Sequence, residues 1–430
     1  MANRYLKVGG SNLLDGTTLG NAWETCLYAA TNLGASNTLN IDDGSYETRD
    51  TDWSSIASGS SGSPTTVQAI NSGSATLVLA TGLSDPTQLI QLPSECHYIT
   101  FDGLILDGND QSGTLMHFGG SNASSHINVT NCTLKDTKPS TNFNAGQGIQ
   151  ISRATNCLVE GCTFSNIDSY GVYNNNGPNT FRSNTFDTCK RIGITAHSNS
   201  NAYSGVVIER NLFKNCGFHT TFPNYAVIVS SSVHTGCIVR NNIFWANRRG
   251  LVVSSNGHTI VHNLFYANTL TGFLWSSTGL TIRNNIALEN GTNFSGSSTG
   301  NTVSHNQITG TATDYFDDPA NGDFTLLDNA TTQTNIIDQG TSVGIDDDYD
   351  GNPRPIGAAV DIGPFELGTV APPDAPVISH SSPYTVVAGS YTGSLMTLED
   401  NDSNTLTVAM VGEYVVIKTT PTANVAVTSP

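Results

Sequence analysis

The sequence predicts an all-β protein, a right-handed parallel β-helix (solenoid) with an N-terminal capping helix and a small C-terminal β-rich module. The first observation is self-similarity at intervals of 21 to 31 residues, the length of one unit that buries its apolar face only by stacking on its neighbours. The second is that each unit keeps two fixed positions two residues apart, which places both on one face of a strand. The aligned units read VTNCTL from Val129, VEGCTF from Val159, FRSNTF from Phe181, IERNLF from Ile208, VRNNIF from Val239, IVHNLF from Ile260, IRNNIA from Ile282 and VSHNQI from Val303.

The fixed positions of this motif predict ladders inside the stack. Position four forms a polar ladder in which side-chain amides of successive coils hydrogen-bond, and it holds Cys132, Cys162, Asn184, Asn211, Asn242, Asn263, Asn285 and Asn306. Position six forms an apolar stack of Leu134, Phe164, Phe186, Phe213, Phe244, Phe265, Ala287 and Ile308. The position between them points outward. A second interior column at a bend holds Cys189, Cys216, Asn247, Asn268 and Asn290.

The eight cysteines are too sparse in 430 residues for a disulfide framework, and no two pairs have zinc-knuckle spacing. Four of them occupy ladder positions where other coils have Asn. We therefore predict buried free thiols.

The ends of such a stack expose unpaired strand edges and need covers. An apolar pattern from Ala22 to Leu33 predicts a helix that covers the first coil. The predicted organisation is an N-terminal strand and capping helix in residues 1–36, the β-helix in 37–367, a Pro-rich linker in 368–376 and a small β-rich module in 377–430. Because the last module is short, an attachment or oligomerisation role is predicted for it.

Charge and hydropathy exclude several classes of partner. The 17 Lys and Arg against 35 Asp and Glu give a formal net charge of −18, which disfavours nucleic acid and anionic membranes. No apolar run has the length of a signal peptide or a membrane span. We therefore expect no nucleic-acid partner, no membrane insertion and synthesis in the cytoplasm, with a virion or extracellular location reached after host lysis.

Segments at both ends of the predicted coil resemble the pectate-lyase-like β-helix superfamily. At the amino end these are YLKVGGSNLLD from Tyr5, the helix around Trp23 and LNIDDGSY from Leu39, and at the far end DYDGNPRP from Asp348 and VDIGPFE from Val360. The resemblance covers residues 5 to 367 and implies the fold. That superfamily contains lyases, glycosidases, epimerases and phage tailspikes, so the activity stays open.

The motif of Asp346, Asp348, Asp350 and Gly351 is the first half of a calcium loop, in which alternate carboxylates converge on one cation. The Glu that completes such a loop is absent. A closing turn is therefore the favoured interpretation and a calcium site the alternative. No cofactor is required.

The candidates for catalysis are few. A resemblance to polysaccharide lyases implies an Arg or Lys that takes the proton beside a uronate carboxylate, and Lys190 and Arg191 are candidates. A hydrolase needs two carboxylates across a groove. Asp168 and Asp187 are the candidates, because the repeat predicts similar register for them on neighbouring coils. The favoured interpretation of Lys190 and Arg191, however, is that they are solvated charges on a turn.

Aromatic residues outside the ladder predict sugar-ring stacking or, alternatively, the filling of bends. They are Tyr170, Tyr173, Phe218, Phe222, Tyr225, Trp245 and Trp275. Two longer units insert loops at Thr137 to Gly146 and around Phe218 to Asn224. These loops and the aromatics beside them are the predicted location of function.

Two functions are consistent with these observations. The favoured one is a virion-associated β-helix protein of tailspike, fibre or decoration type that binds a surface polysaccharide and contacts other virion proteins through its C-terminal module. Resemblance to tailspikes implies a homotrimer. The alternative is a polysaccharide lyase or glycoside hydrolase that acts on an acidic polysaccharide.

Overall fold

The computed structural model describes the side chains of most of the chain. The described residues are 2–80, 88–111, 113–120, 123–139, 145–197, 204–219, 224–230 and 235–368, together with the backbone of 395–399, 405–409, 417–418 and 424–425. The chain divides into two units, Met1–Gly368 and Thr369–Pro430. Among the residues described, no helix has the length and apolar character needed to span a membrane.

The first unit is a coil of three parallel sheets, in which each strand pairs with the strand one turn later. Sheet 1 contains Asn3–Leu6, Thr38–Ile41, Thr65–Ala69, His97–Asp102, Ser124–Thr130, Ala154–Thr155, Cys157–Glu160, Asn179–Arg182, Val207–Glu209, Ile238–Arg240, Thr259–Val261, Thr281–Arg283 and Thr302–Ser304. Sheet 2 contains Gly44–Thr48, Ala75–Leu79, Ile105–Asp107, Thr133–Lys135, Thr163–Ile167, Thr185–Cys189, Leu212–Lys214, Ile243–Trp245, Leu264–Tyr266 and Ile286–Leu288. Sheet 3 contains Gln88–Gln91, Thr114–Phe118, Gln147–Ile151, Tyr170–Asn174, Ile192–His197, Tyr225–Ser230, Arg249–Val253, Thr271–Trp275 and Thr292–Ser295.

The predicted polar ladder is confirmed at the bend between sheets 1 and 2. The Asn211 side-chain amide donates to Asn242 Oδ1 at 3.0 Å, and Asn242 repeats the bond to Asn263 at 3.0 Å. Each Oδ1 also accepts the backbone N–H of the ladder residue one coil earlier, as Asn263 does for Asn242 at 3.0 Å. The ladder thus satisfies buried backbone groups as well as linking side chains.

The predicted apolar stack is confirmed inside the coil. Phe164, Phe186 and Phe213 are fully buried and lie nearly parallel, with ring centroids 4.5 and 4.8 Å apart. The rings restrict the facing strands of sheet 3, because a Cβ added to Gly171 would lie 2.7 Å from the Phe186 ring. The stack ends one coil earlier than predicted, since Ile308 is 42% exposed.

The capping helix is present but shorter than predicted. It spans Cys26–Asn32 and its buried side joins the core of the first coils. The predicted start at Ala22 is wrong, because the Trp23 backbone N–H instead donates to the Tyr5 carbonyl at 2.8 Å and extends the sheet. Thr25 is the N-cap residue.

The end of the first unit does not close the last coil, which corrects the expectation for residues 348–366. Residues 311–367, here named the returning segment, instead fold back along the outside of sheet 2. They contain the antiparallel pair Phe316–Asp318 and Asp323–Leu326, the α-helix Ala330–Asn335, and short 3₁₀ turns. They cover the outward apolar position of the repeat motif, at Ile243, Leu264 and Ile286. This covering forms a second hydrophobic core.

All eight cysteines are buried free thiols, as predicted. Burial raises the pKa of the Cys157 and Cys237 thiols to about 12. The Cys157 backbone N–H donates to the Asn179 side chain, and the Cys237 N–H donates to the His258 ring. These bonds form a third polar ladder, at the bend where the strands of sheet 1 begin.

The second unit is described only in part. Leu395–Glu399 pairs antiparallel with Thr405–Ala409, and Ile417–Lys418 pairs with Asn424–Val425. Most of the predicted linker and module lies outside the described residues.

Candidate functional site

An ion pair lies at the bend between sheets 2 and 3. Ile167 and Cys189 are register partners, so the residues after them, Asp168 and Lys190, stack on successive coils. Lys190 Nζ lies 3.2 Å from Asp168 Oδ1, and the side chains are 37% and 6% exposed. The Asp168 backbone N–H donates to Thr137 Oγ1 at 2.8 Å, which ties the pair to the start of the first inserted loop.

Arg191 and His219 complete what we name the Lys190 cluster, Asp168, Lys190, Arg191 and His219. The His219 backbone N–H donates to the Lys190 carbonyl at 2.7 Å, so the second inserted loop begins directly over Lys190. Arg191 has no exposed surface. Burial and the charges of Arg191 and Lys190 hold the His219 pKa below its ordinary value, although Asp168 opposes them. The partly exposed imidazole is therefore neutral at neutral pH beside two cations.

Aromatic residues extend from the cluster along sheet 3. Tyr170 and Tyr173 contact each other with ring centroids 5.2 Å apart. Burial raises the pKa of Tyr170 to about 12, so its phenol stays protonated at neutral pH. Further along the sheet, the Arg249 guanidinium lies over the Tyr225 ring at 5.7 Å. Because Tyr170 is buried, the rings of this face that can contact sugar are the partly exposed Tyr173 and Tyr225.

Two buried polar side chains on this sheet make no hydrogen bond within the described part of the chain. Gln147 is fully buried, and both atoms of its amide lack a partner. Thr195, the register partner of Tyr173, has an unbonded hydroxyl. Both groups are enclosed by the protein, so a glycan on the face of sheet 3 would not reach them.

Comparison with known proteins identifies the fold of this coil. A family model described as a right handed beta helix region matches residues 88–265. The solved structure of the pectate lyase Pel9A aligns with a TM-score of 0.59 at 14% identity, covering 86% of this chain and 97% of that chain. This chain has the right-handed parallel β-helix fold. The identity is low enough that the likeness establishes the fold alone.

Two further proteins or families are similar to parts of this β-helix. A rhamnogalacturonan lyase structure aligns with a TM-score of 0.50 at 13% identity, covering 73% of this chain and 90% of that chain. A family model described as periplasmic copper-binding protein (NosD) matches residues 200–342. No curated protein matches this β-helix at a significant level.

The β-helix does not bring Asp168 and Asp187 together, so the predicted carboxylate pair is wrong. Asp187 is the register partner of Ser165 within sheet 2, where its carboxylate binds Lys214 at 3.1 Å. Asp168 lies past the end of the same strands. The interpretation of Arg191 as a solvated charge is also wrong, because its side chain is buried.

The predicted aromatic residues fall into separate places. Tyr170, Tyr173 and Tyr225 line sheet 3, and Phe218, 49% exposed, precedes His219. Trp275 is not a surface residue. It fills the interior at 5% exposure, and its indole N–H donates to the Ser297 carbonyl at 2.9 Å. Trp245 lies on sheet 2 under the returning segment, and Phe222 lies outside the described residues.

One aspartate of the calcium motif, Asp348, has a structural role. Asp348 is buried, and its carboxylate accepts the backbone N–H groups of Asp350, Asn352 and Glu366 at 2.9, 2.8 and 3.1 Å. Among the described residues, no group of three His, Cys, Asp or Glu side chains could hold a metal ion. Asp348 therefore serves a turn, as favoured from the sequence, but the turn lies over sheet 2 and not at the end of the coil.

The sequence interpretation missed His219. It lies three residues past the ladder residue Cys216, in a loop whose length breaks the repeat, so its register could not be aligned. The available signal was its place beside Phe218 in an inserted loop of the middle coils.

Proposed function

We propose that this chain is a carbohydrate-active protein that binds an acidic polysaccharide on sheet 3 and cleaves it by β-elimination at the Lys190 cluster. The observation that carries this proposal is a partly exposed His219 imidazole, kept neutral by burial and two nearby cations, at the end of the sheet on which Tyr173 is partly exposed. The fold shared with a pectate lyase and a rhamnogalacturonan lyase supports it.

Each group has a role that follows from its position. The partly exposed Lys190 ammonium binds the uronate carboxylate, which makes the adjacent C5–H more acidic. His219 accepts that proton as the general base. The C5–H electron pair forms the C4–C5 double bond, the bond from C4 to the glycosidic oxygen breaks, and water protonates the departing oxygen. Asp168 positions Lys190, and buried Arg191 adds positive charge behind it.

The decisive test compares two lysines in similar ion pairs. Lys190 and Lys214 each bind an aspartate of the preceding coil, at 3.2 and 3.1 Å, with side chains 37% and 30% exposed. On uronate polysaccharides, formation of unsaturated ends should fall about a hundredfold or more in Lys190→Ala and stay unchanged in Lys214→Ala. Ultraviolet absorbance of the unsaturated product measures the rate.

Several outcomes would contradict the proposal. Equal losses of activity in Lys190→Ala and Lys214→Ala would mean that the substitutions act by destabilising the fold. New reducing ends without unsaturation would show hydrolysis instead, and no turnover of any uronate polymer by the wild type would remove the catalytic claim. Retained binding without turnover would favour the glycan-binding role predicted for a virion-associated protein.

The pH dependence of the reaction tests His219 directly. Because its pKa is lowered, the base is active above that pKa and is lost as pH falls through it, so the acid limb of kcat/KM should lie below about 6.5. His219→Gln should abolish this limb and reduce kcat/KM about a hundredfold or more. An unchanged acid limb in His219→Gln would assign the base to another residue.

A further inference from the structure

A cavity of about 320 Å³ lies between sheet 2 and the returning segment, away from the Lys190 cluster. Its walls include four aromatic residues, Trp245, Phe324, Tyr349 and Phe365. Trp245 is the outward residue that ends the strand Ile243–Trp245, and the other three belong to the returning segment. The volume is at the lower end of the range for small-molecule sites.

The rings are held in fixed mutual positions. Trp245 and Phe324 meet edge to face, with centroids 5.8 Å apart and planes at 82°. Tyr349 and Phe365 meet at 5.5 Å and 61°. Gly322 has a φ of +87°, and a Cβ there would lie 2.8 Å from the Trp245 ring. The backbone therefore approaches this ring more closely than any other residue type would allow.

The lining of the cavity has three acidic side chains and no basic one. Asp323 and Asp350 are exposed at its rim, and no Lys, Arg or His lines it. The third acidic residue of the lining, Glu366, is buried in an ion pair with Arg354. Two carboxylates thus face the opening without a cation from the lining.

The nearest cations along the strands already have partners. Lys214, the register neighbour of Trp245, binds Asp187 at 3.1 Å. Arg210, near Gly351, binds Asp347 at 3.3 Å. A positive charge at the rim of the cavity is therefore not supplied by these neighbours.

We infer that this cavity binds a small organic cation, an amine or quaternary ammonium group carried on an apolar body. Aromatic rings attract a cation through their negative faces, and the two carboxylates add to that attraction. An acidic sugar would be repelled. A neutral sugar would find only two side-chain hydroxyls, those of Thr325 and Tyr349, besides the Trp245 indole N–H. This site is independent of the glycan site on sheet 3.

Isothermal titration calorimetry of the full chain tests this inference with two ligands, choline and its uncharged isostere 3,3-dimethylbutan-1-ol. The two have the same shape, so the difference in affinity measures the contribution of the charge. We expect choline to bind at least about tenfold more tightly than the isostere. Asp350→Asn should weaken choline binding several-fold and leave the isostere unchanged. Asp317→Asn, an exposed carboxylate of the returning segment outside the cavity lining, is the matched control and should change neither.

Asp350 is exposed, so Asp350→Asn should keep the fold, and its thermal unfolding should match the wild type. Equal binding of choline and the isostere would overturn the inference, as would no binding of either. Tighter binding of glucose or galactose than of choline would make the cavity a neutral-sugar site and also overturn it. Trp245→Leu should remove choline binding, and retained binding would place choline elsewhere.

Discussion

Asn263→Ala is expected to lower the free energy of unfolding by roughly 3 kcal/mol or more. The Asn263 amide donates to the carbonyls of Val239 and Val261 at 2.9 and 3.0 Å, and its oxygen accepts the backbone N–H and side-chain amide of Asn242. All of these bonds are buried. The substitution therefore leaves several polar groups without water or partner, and each such group costs about 1–3 kcal/mol.

Asn306→Ala is the matched control, because Asn306 is the last residue of the same ladder and is partly exposed. Its amide makes equivalent bonds to Ile282 and Ser304, both at 2.9 Å. Water can replace these bonds, so we expect a loss of only about 1 kcal/mol. Urea denaturation followed by circular dichroism measures both. Equal losses would show that the ladder contributes no more in the interior than at the end.

Arg354→Met is expected to cost about 3–5 kcal/mol, because it breaks a fully buried ion pair and leaves one charge. The side chains of Arg354 and Glu366 are both 0% exposed. Arg354 also donates to the carbonyls of Asp347 and Gly363, at 3.0 and 2.8 Å. Without it, the Glu366 carboxylate keeps only backbone donors. The returning segment should become sensitive to protease at lower temperature than the coil.

Arg182→Met is the control for this prediction. It breaks an ion pair with Glu160 at 2.6 Å, whose side chains are about one-third exposed, at 35% and 34%. Exposed pairs contribute about 1 kcal/mol or less. Thermal unfolding combined with limited proteolysis compares the variants. If Arg182→Met is as destabilising as Arg354→Met, burial is not the source of the effect.

The coil could be predicted from the sequence because its ladders repeat the same residue types at fixed positions. Asn211 and Asn242 contact each other although 31 residues separate them, and their shared motif places them in register. The returning segment was not predicted, although a signal for it existed. Ile243, Leu264 and Ile286 form an outward apolar column, which requires a cover.

The candidate site was predicted only in part, because bends and inserted loops vary in length. Lys190 follows Cys189 directly, so its position could be read from the ladder. The ladder of Asn247 and Asn268 fixes where the strands of sheet 3 begin, but the repeat motif does not continue along them. The partly exposed position of Tyr173 and the interior position of Trp275 could therefore not be distinguished. The virion role, the homotrimer and a surface-polysaccharide partner remain predictions from the sequence.

The returning segment contacts one bend residue in each of four successive coils. Arg210 binds Asp347, Asn241 binds the Asp347 carbonyl, His262 the Gly363 carbonyl and Asn284 the Thr341 carbonyl. A tensile force applied to the chain at Gly368 would therefore load these four coils together in shear. A stack that ended at its last strand would instead peel one coil at a time.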